Sequence, residues 1–310
     1  MPSLSFVIPV YNEEETLGTL FDEIAASVPH DQFEVVFVDD GSRDRSWERI
    51  GELHAKHGEQ VRGVRFRRNF GKAAGLKAGF EAAKGEIVFT MDADLQDVPA
   101  EIPNFLAKLD EGADMVSGWK KERHDPLEKR LPSKLFNAIT SWSTGLYLHD
   151  FNCGFKAYRR EIVENINLYG ELHRFVPAIA HSMGYRVVEI PVQHRPREHG
   201  QSKYGFGRYL KGCLDLLTVV LTTKFNTRPL HLFGGFGMAT GSIGFLILFY
   251  LSASKVLMGA SIGGRPLFFL GILLVLFAGQ MVSTGLLAEL LVTTANRNQP
   301  MGSAQIRDII

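Results

Sequence analysis

The stretch FTMDADLQD, residues 89–97, sets Asp92 and Asp94 one residue apart after a short apolar run, with Asp97 three positions on. Two carboxylates at a strand end offer hard oxygen ligands that can hold a divalent cation and bridge it to phosphate. The pair alone leaves a second reading open, because acids also cap helices, and Asp97 precedes a Val-Pro that could open one. Asp39 and Asp40, followed by Gly-Ser-Arg-Asp, end another apolar run. Carboxylates there suit hydrogen bonds from a base or ribose; the alternative is a turn in which Asp44 caps the next helix. Tyr11 to Glu13 form a third polar cluster, where Glu13 could simply complement a helix dipole.

These clusters need a frame that brings them together. LSFVIPV, FEVVFVDD, VRGVRF and EIVFTMD read as four strands, alternating with helical stretches such as NEEETLGTLFDEIAASV, in which Leu17, Leu20, Phe21 and Ile24 keep helical spacing. Asn12 and Glu15 have capping-box spacing for that helix. Continuous apolar strands alternating with helices predict an α/β domain with a mainly parallel, Rossmann-like sheet covered on both faces. Ligands of such sheets gather at the carboxyl ends of the strands, where all three polar clusters fall.

From about residue 230 the composition changes. Residues 230–254 and 266–292 are each apolar enough and long enough to cross a hydrocarbon core of about 30 Å, with no charge in the second before Glu289. The short connection predicts a transmembrane hairpin. Lys224, Arg228, Arg297 and Arg307 flank its outer ends, against Lys255 and Arg265 in the loop, which favours outer ends in the cytosol. Residues 205–228, apolar with a few basic residues, read as interfacial helices or as a buried helix of the first domain. The domains expected are therefore 1–204 catalytic, 205–228 interfacial, 229–294 membrane-spanning and 295–310 a cytosolic tail. Gly237 and Gly241 permit the close helix packing that a homo-oligomer would use.

Composition narrows the function. The chain has 310 residues, 45% of them hydrophobic, which is ample for a packed core. Lys plus Arg and Asp plus Glu both total 34, so no net charge draws the protein to nucleic acid. Cys153 and Cys213 stand far apart without a CxxC partner, which argues against a zinc site or disulfide framework and fits a reducing compartment. The N-terminus has no basic n-region, so the first domain is expected to stay in the cytosol.

VIPVYNEEETL, VDDGSRDRS, RNFGKAAGLKAGF, MDADLQD, DFNCGFKAYRR and HGQSKYG occur in this order. Together they resemble glycosyltransferase family 2, in particular the branch that loads sugars onto polyisoprenyl phosphates, the dolichyl-phosphate mannose synthase and bactoprenol glucosyltransferase type. The resemblance implies a GT-A fold and a Mg2+ or Mn2+ cofactor. Carried over residue by residue, it assigns Pro9, Tyr11, Glu13, Val38 and Asp40 to the nucleoside of a UDP- or GDP-linked sugar. Asp92, Asp94 and Gln96 would hold the metal and the donor phosphates. Arg197, Ser202 and Lys203 would belong to a loop that closes over the diphosphate, and Lys120, Lys129, Arg130 and Ser133 would bind the acceptor phosphate. Asp150 matches the acid presented near the reacting centre, with Asp94 as the other catalytic residue; a loop Asp making turn hydrogen bonds is the plainer alternative.

Two departures stand out. Lysines replace arginines that relatives often carry on the acceptor side, which loses bidentate geometry. In the tail, LLAELLVTTANR keeps Glu289 but places Arg297 later than the relatives' Gly-Glu-Tyr motif and arginine. The expected activity is an inverting, metal-dependent transfer of one hexose to polyprenyl phosphate by an integral membrane protein. A processive polysaccharide synthase would need a larger helix bundle and a Gln-x-x-Arg-Trp motif, both missing from this sequence. A catalytically silent binding protein is disfavoured by the intact Asp92, Asp94, Gln96 and Asp150.

Overall fold

A computed structural model describes residues 3–29, 32–121, 137–166, 168, 170, 172–195, 218, 220, 228–259 and 261–297, the side chains of 293 and 295–297 apart. The chain divides into two compact units, one carrying the sheet and the other beginning at Val220 and carrying the long apolar helices.

In the first unit, seven strands form one sheet: β1 (Leu4–Val10), β2 (Phe33–Asp39), β3 (Val61–Arg65), β4 (Ile87–Thr90), β5 (Met115–Lys120), β6 (Lys156–Arg159) and β7 (Val187–Val192). Their order is β3-β2-β1-β4-β6-β5-β7. The four strands read from sequence are parallel neighbours, and β6 alone runs antiparallel, against β4 and β5. The chain leaves β1 toward β2 and β3, then crosses back to place β4 on the other side of β1. This reversal opens a crevice at the carboxyl ends of β1 and β4, the place where open α/β sheets bind ligands.

Period-two alternation splits the apolar runs between two cores. Leu4, Phe6, Ile8 and Val10 of β1 join Leu17, Leu20, Phe21 and Ile24 of helix α1 (Leu17–Ser27) and Ile102, Phe105 and Leu109 of helix α4 (Ile102–Asp110) on one face. Val7 faces the other core, with Leu76 and Phe80 of helix α3 (Lys72–Ala82). Helix α2 (Ser46–His57) adds Ile50 to the first face. Gly79 lets α3 lie against β1, because a Cβ there would overlap Val7.

Two local expectations fail. Helix α1 begins at Leu17, and Asn12 is not its cap: Asn12 takes φ 57°, and its Oδ1 accepts the Arg43 N–H at 2.8 Å. Asn tolerates this left-handed conformation, and the tie to the loop after β2 outcompetes a local cap. Asp97 does not cap the turn that opens at Pro99 either, which has no side-chain cap. Its Oδ2 folds back to accept the Asp92 N–H at 3.3 Å.

In the second unit, helices Pro229–Met258 and Pro266–Arg297 extend past the spans read from sequence. Both are long and apolar enough to cross a membrane. Phe236, Leu246, Phe249, Leu276 and Leu291 are all more than 60% exposed, far more apolar surface than water tolerates on a helix pair. The two helices pack closely on each other: a Cβ on Gly237 would stand 2.9 Å from the Ala278 carbonyl oxygen, and one on Gly244 the same distance from that of Gly271. Gly237 and Gly241, read as a packing face, both serve this hairpin. Glu289 Oε2 accepts the Leu230 N–H at 3.1 Å, capping the start of one helix from the end of the other. The expected interfacial segment 205–228 lies outside the described residues apart from 218, 220 and 228.

Candidate active site

The loops after β1 and β2 are laced into one surface. Asn12 N–H donates to Ser42 Oγ at 3.0 Å, Glu13 N–H to Ser46 Oγ at 2.9 Å and Glu14 N–H to Asp44 Oδ2 at 3.2 Å, while Arg45 N–H returns to Glu14 Oε2. Asp44 Oδ1 accepts the Ser46 N–H at the start of α2, so it serves that helix as well as the loop. Tyr11 and Glu13 are half-buried on this surface, as is Pro9 at the end of β1.

Asp39 and Asp40 divide their labour. Asp39 is fully buried, accepts the Ser42 N–H at 2.8 Å and pairs with Arg65 at 3.2 Å, which fixes the loop. Asp40 accepts the N–H groups of Phe70 and Gly71 at 2.6 and 2.9 Å, immediately before α3. Burial raises its pKa above the usual carboxylate range although these two amides oppose the shift. Val38 is fully buried, so its side chain is closed to any ligand.

The DADLQD loop occupies the crevice beside β1. Leu95 is held at φ 60°, a conformation that costs about 1–2 kcal/mol for a residue with a Cβ. Strain of this kind, between Asp94 and Gln96, marks a loop held in shape by its surroundings. Gln96 N–H donates to Asp94 Oδ1 at 3.3 Å. The Gln96 side-chain amide donates to the Arg195 carbonyl at 3.2 Å, and the Gln96 carbonyl accepts the Arg195 N–H at 2.9 Å. The chain entering the expected donor loop therefore departs from the DADLQD loop itself. Arg197, Ser202 and Lys203 of that loop lie outside the described residues, as do Lys129, Arg130 and Ser133.

Three lysines surround Asp92. Lys72, the first residue of α3, forms an ion pair with Asp92 Oδ1. Burial alone would raise the Asp92 pKa, but Lys72, Lys120 and Lys156 together hold it well below the usual range. Lys120, the last residue of β5, stands 3.6 Å from Asp97. Burial pulls its pKa down, but Asp97, Cys153, Asp92 and Asp150 more than reverse the shift and keep it charged. Lys156 is 4% exposed in β6 and donates to the Cys153 carbonyl; burial lowers its pKa. Gly154 brings the backbone against Asp92, since a Cβ there would lie 2.6 Å from Asp92 Oδ2. His173 adjoins the same cluster and is held neutral, its pKa lowered well below the ordinary value by burial and by Lys72, Arg174 and Lys156.

Asp150 is fully buried. Its Oδ1 accepts the Asn152 N–H at 3.0 Å, its own N–H donates to Glu189 Oε1 at 2.9 Å, and its charge supports Lys120 and Lys156. Next to it, His149 stacks on Trp119 with ring centroids 4.0 Å apart and shares Glu189 at 2.8 Å.

Thus Tyr11, Glu13, Asp40, Asp92, Asp94, Gln96 and Lys120 are all carried by the strand-end loops or strand ends that line one rim of the sheet. Sequence reasoning passed over Lys72 and Lys156. The signal for Lys156 is a charged residue between Phe155 and Ala157-Tyr158 at the start of β6, which can be buried only against opposite charge. Lys72 is the one charged residue in the first turn of a helix otherwise opened by Ala and Gly.

The oxygen set fits a hard divalent cation. Among the described residues no three His, Cys, Asp or Glu side chains come together to hold a metal unaided. Asp94, Gln96 and Asp92 would therefore supply a partial shell for donor phosphates to complete, the usual arrangement for Mg2+.

Residues 5–166 match the family model described as Glycosyl transferase family 2. The chain is 39% identical to a dodecaprenyl-phosphate galacturonate synthase of Rhizobium johnstonii, over 99% of this chain and 92% of that protein. It is 42% identical to an undecaprenyl-phosphate 4-deoxy-4-formamido-L-arabinose transferase of Pseudomonas aeruginosa, over 93% and 84%. The solved glucosyl-3-phosphoglycerate synthase of Mycobacterium tuberculosis, in complex with Mn2+, UDP and phosphoglyceric acid, superposes with TM-score 0.55 and 17% identity over 72% of this chain and 78% of its own, a likeness of fold. With its parallel sheet, its acidic strand-end loops and these relatives, the chain belongs to glycosyl transferase family 2.

Proposed function

We propose that the protein is a membrane-bound glycosyltransferase that moves one sugar from a nucleotide-sugar to polyprenyl phosphate. The observation that carries this reading is Asp92 with three surrounding lysines in the strand-end loop that also carries Asp94, in a chain whose relatives are named as polyprenyl-phosphate sugar synthases or transferases. A site that handles two anions at once needs local positive charge to bring them together.

Tyr11, Glu13 and Pro9, on the rim beside β1, are placed for the nucleoside. Asp40 shapes that rim by accepting the N–H groups of Phe70 and Gly71. A Mg2+ or Mn2+ held by Asp94 and Gln96, with Asp92 beside them, would neutralise the departing diphosphate. Lys120, with Lys129, Arg130 and Ser133 of the following segment, would draw the lipid phosphate toward the sugar. A phosphate oxygen then attacks the anomeric carbon in line as the bond to the nucleoside diphosphate breaks, inverting its configuration. A phosphate acceptor is already anionic at neutral pH and needs little help from a base. Buried Asp150 stands with Asp97 and Asp92 among the acids around Lys120.

The two apolar helices would hold the enzyme in the plane of its lipid substrate and raise the effective acceptor concentration. The excess of Lys and Arg at their outer ends supports a catalytic unit on the cytosolic side. Comparing undecaprenyl phosphate with undecaprenol as acceptor tests it: radiolabelled sugar should enter the lipid phase only with the phosphate. Equal transfer to the alcohol would contradict the assignment.

A further inference from the structure

Lys72 and a divalent cation would compete for one carboxylate. Asp92 Oδ1 already carries the Lys72 ammonium, and the Gly154 backbone lies close beside Oδ2. Lys120 and Lys156 add two more positive charges to the field at Asp92. A bare dication approaching Asp92 Oδ1 must displace the Lys72 ammonium already paired there. A nucleoside diphosphate brings negative charge that offsets both the metal and the lysines. The Lys72 side chain is 29% exposed and springs from the first residue of α3, so it has room to leave Asp92 for a phosphate oxygen without moving the helix.

We propose that Lys72 is a positioning residue that holds Asp92 closed in the metal-free enzyme and transfers to the donor diphosphate when metal and donor enter together. It couples metal binding to donor binding. This inference rests on the proposed metal-dependent reading of the site. It predicts that the empty enzyme binds Mn2+ weakly and that UDP or GDP strengthens Mn2+ binding strongly.

The test is Mn2+ binding, read from the electron paramagnetic resonance signal of free Mn2+, on the detergent-solubilised full chain with and without UDP or GDP. Lys72→Met keeps the aliphatic stem and removes the charge. In this variant Mn2+ should bind at least roughly tenfold more tightly than in wild type when no nucleotide is present, as removal of a like charge in a part-buried site requires. Nucleotide affinity at saturating Mn2+ should fall, so that the coupling shrinks from both sides, while Lys72→Arg should keep most of it. A gain in metal affinity is not what structural damage produces. Nucleotide-free Mn2+ affinity and coupling both unchanged in Lys72→Met would overturn the role of Lys72. Wild-type enzyme that binds Mn2+ equally well with and without either nucleotide would overturn it too, even if the variant does not fold. Wild-type enzyme that binds no Mn2+ with either nucleotide would overturn the metal-dependent reading as well.

Discussion

At the scale of single residues, the site is a problem in burying charge. Buried Asp97, Asp150 and Lys156 and half-buried Asp92, Lys72 and Lys120 share one cluster, and removing one partner leaves another uncompensated. Asp94 is half-buried and accepts the Gln96 N–H, and Asp94→Ala should lower kcat by about a thousandfold or more while leaving the melting temperature nearly unchanged; near-wild-type turnover would remove the metal assignment. Lys156 gives a pH prediction. Its folded-state pKa lies below the value of about 10.4 in an unfolded chain, so the unfolded state binds more protons in the window between the two values. Stability contributed by Lys156 therefore rises with pH across that window and is lost as pH falls through the folded-state pKa. Calorimetry should find that the stability of Lys156→Met rises less than that of wild type as the pH is raised toward about 10, and the variant should be at least about tenfold less active because Asp92 loses a counter-charge. Cys153 is buried beside it, with its thiol pushed up to about 12 by burial. Iodoacetamide at pH 8 should leave Cys153 unmodified until the protein unfolds, since only the thiolate reacts.

At the scale of elements, the strand-end loops hold the site and the backbone sets their spacing. Gly154→Ala would drive a methyl group into Asp92, with an expected cost of about 1–3 kcal/mol in stability and a clear loss of donor affinity, measured by melting temperature and donor KM. In the hairpin, Glu289→Ala should cost about 0.5–2 kcal/mol, the usual value of a helix cap, seen as earlier thermal unfolding in detergent, while Glu289→Gln keeps an acceptor for the Leu230 N–H and should lose less.

These elements were legible in the sequence to different degrees. β1 to β4 declare themselves as apolar runs ended by polar clusters, and the two long helices as uncharged stretches, because burial or lipid demands that pattern along the chain. Asp97 carries the local signature of a cap, yet long-range charge from Lys120 and the Asp92 amide hold it elsewhere. Lys72 and Lys156 come near Asp92 only because α3 packs on β1, the neighbour of β4, and β6 pairs with β4, a juxtaposition made by sheet order and by an antiparallel strand that no local pattern reveals. The Asn12 turn was missed for the same reason, since its partner lies across the loop after β2.

At the scale of the whole molecule, two units divide the work. One has a rim of charge that suits a nucleotide-sugar and a phosphate; the other has two helices long and apolar enough to cross a membrane. A chain truncated after Val219 should leave the membrane fraction in far larger measure than the full chain. The central claim is transfer of one sugar to a lipid phosphate, and product mass reads it most directly. Purified full-length protein, undecaprenyl phosphate and Mn2+ or Mg2+ would be incubated with a panel of UDP- and GDP-sugars, uronic acids and amino sugars included, and the lipids extracted for mass spectrometry. The account predicts, with one donor of the panel, a lipid heavier by a single sugar that is lost when the metal is chelated. No sugar-bearing lipid with any donor, or a ladder of lengthening products, would contradict it.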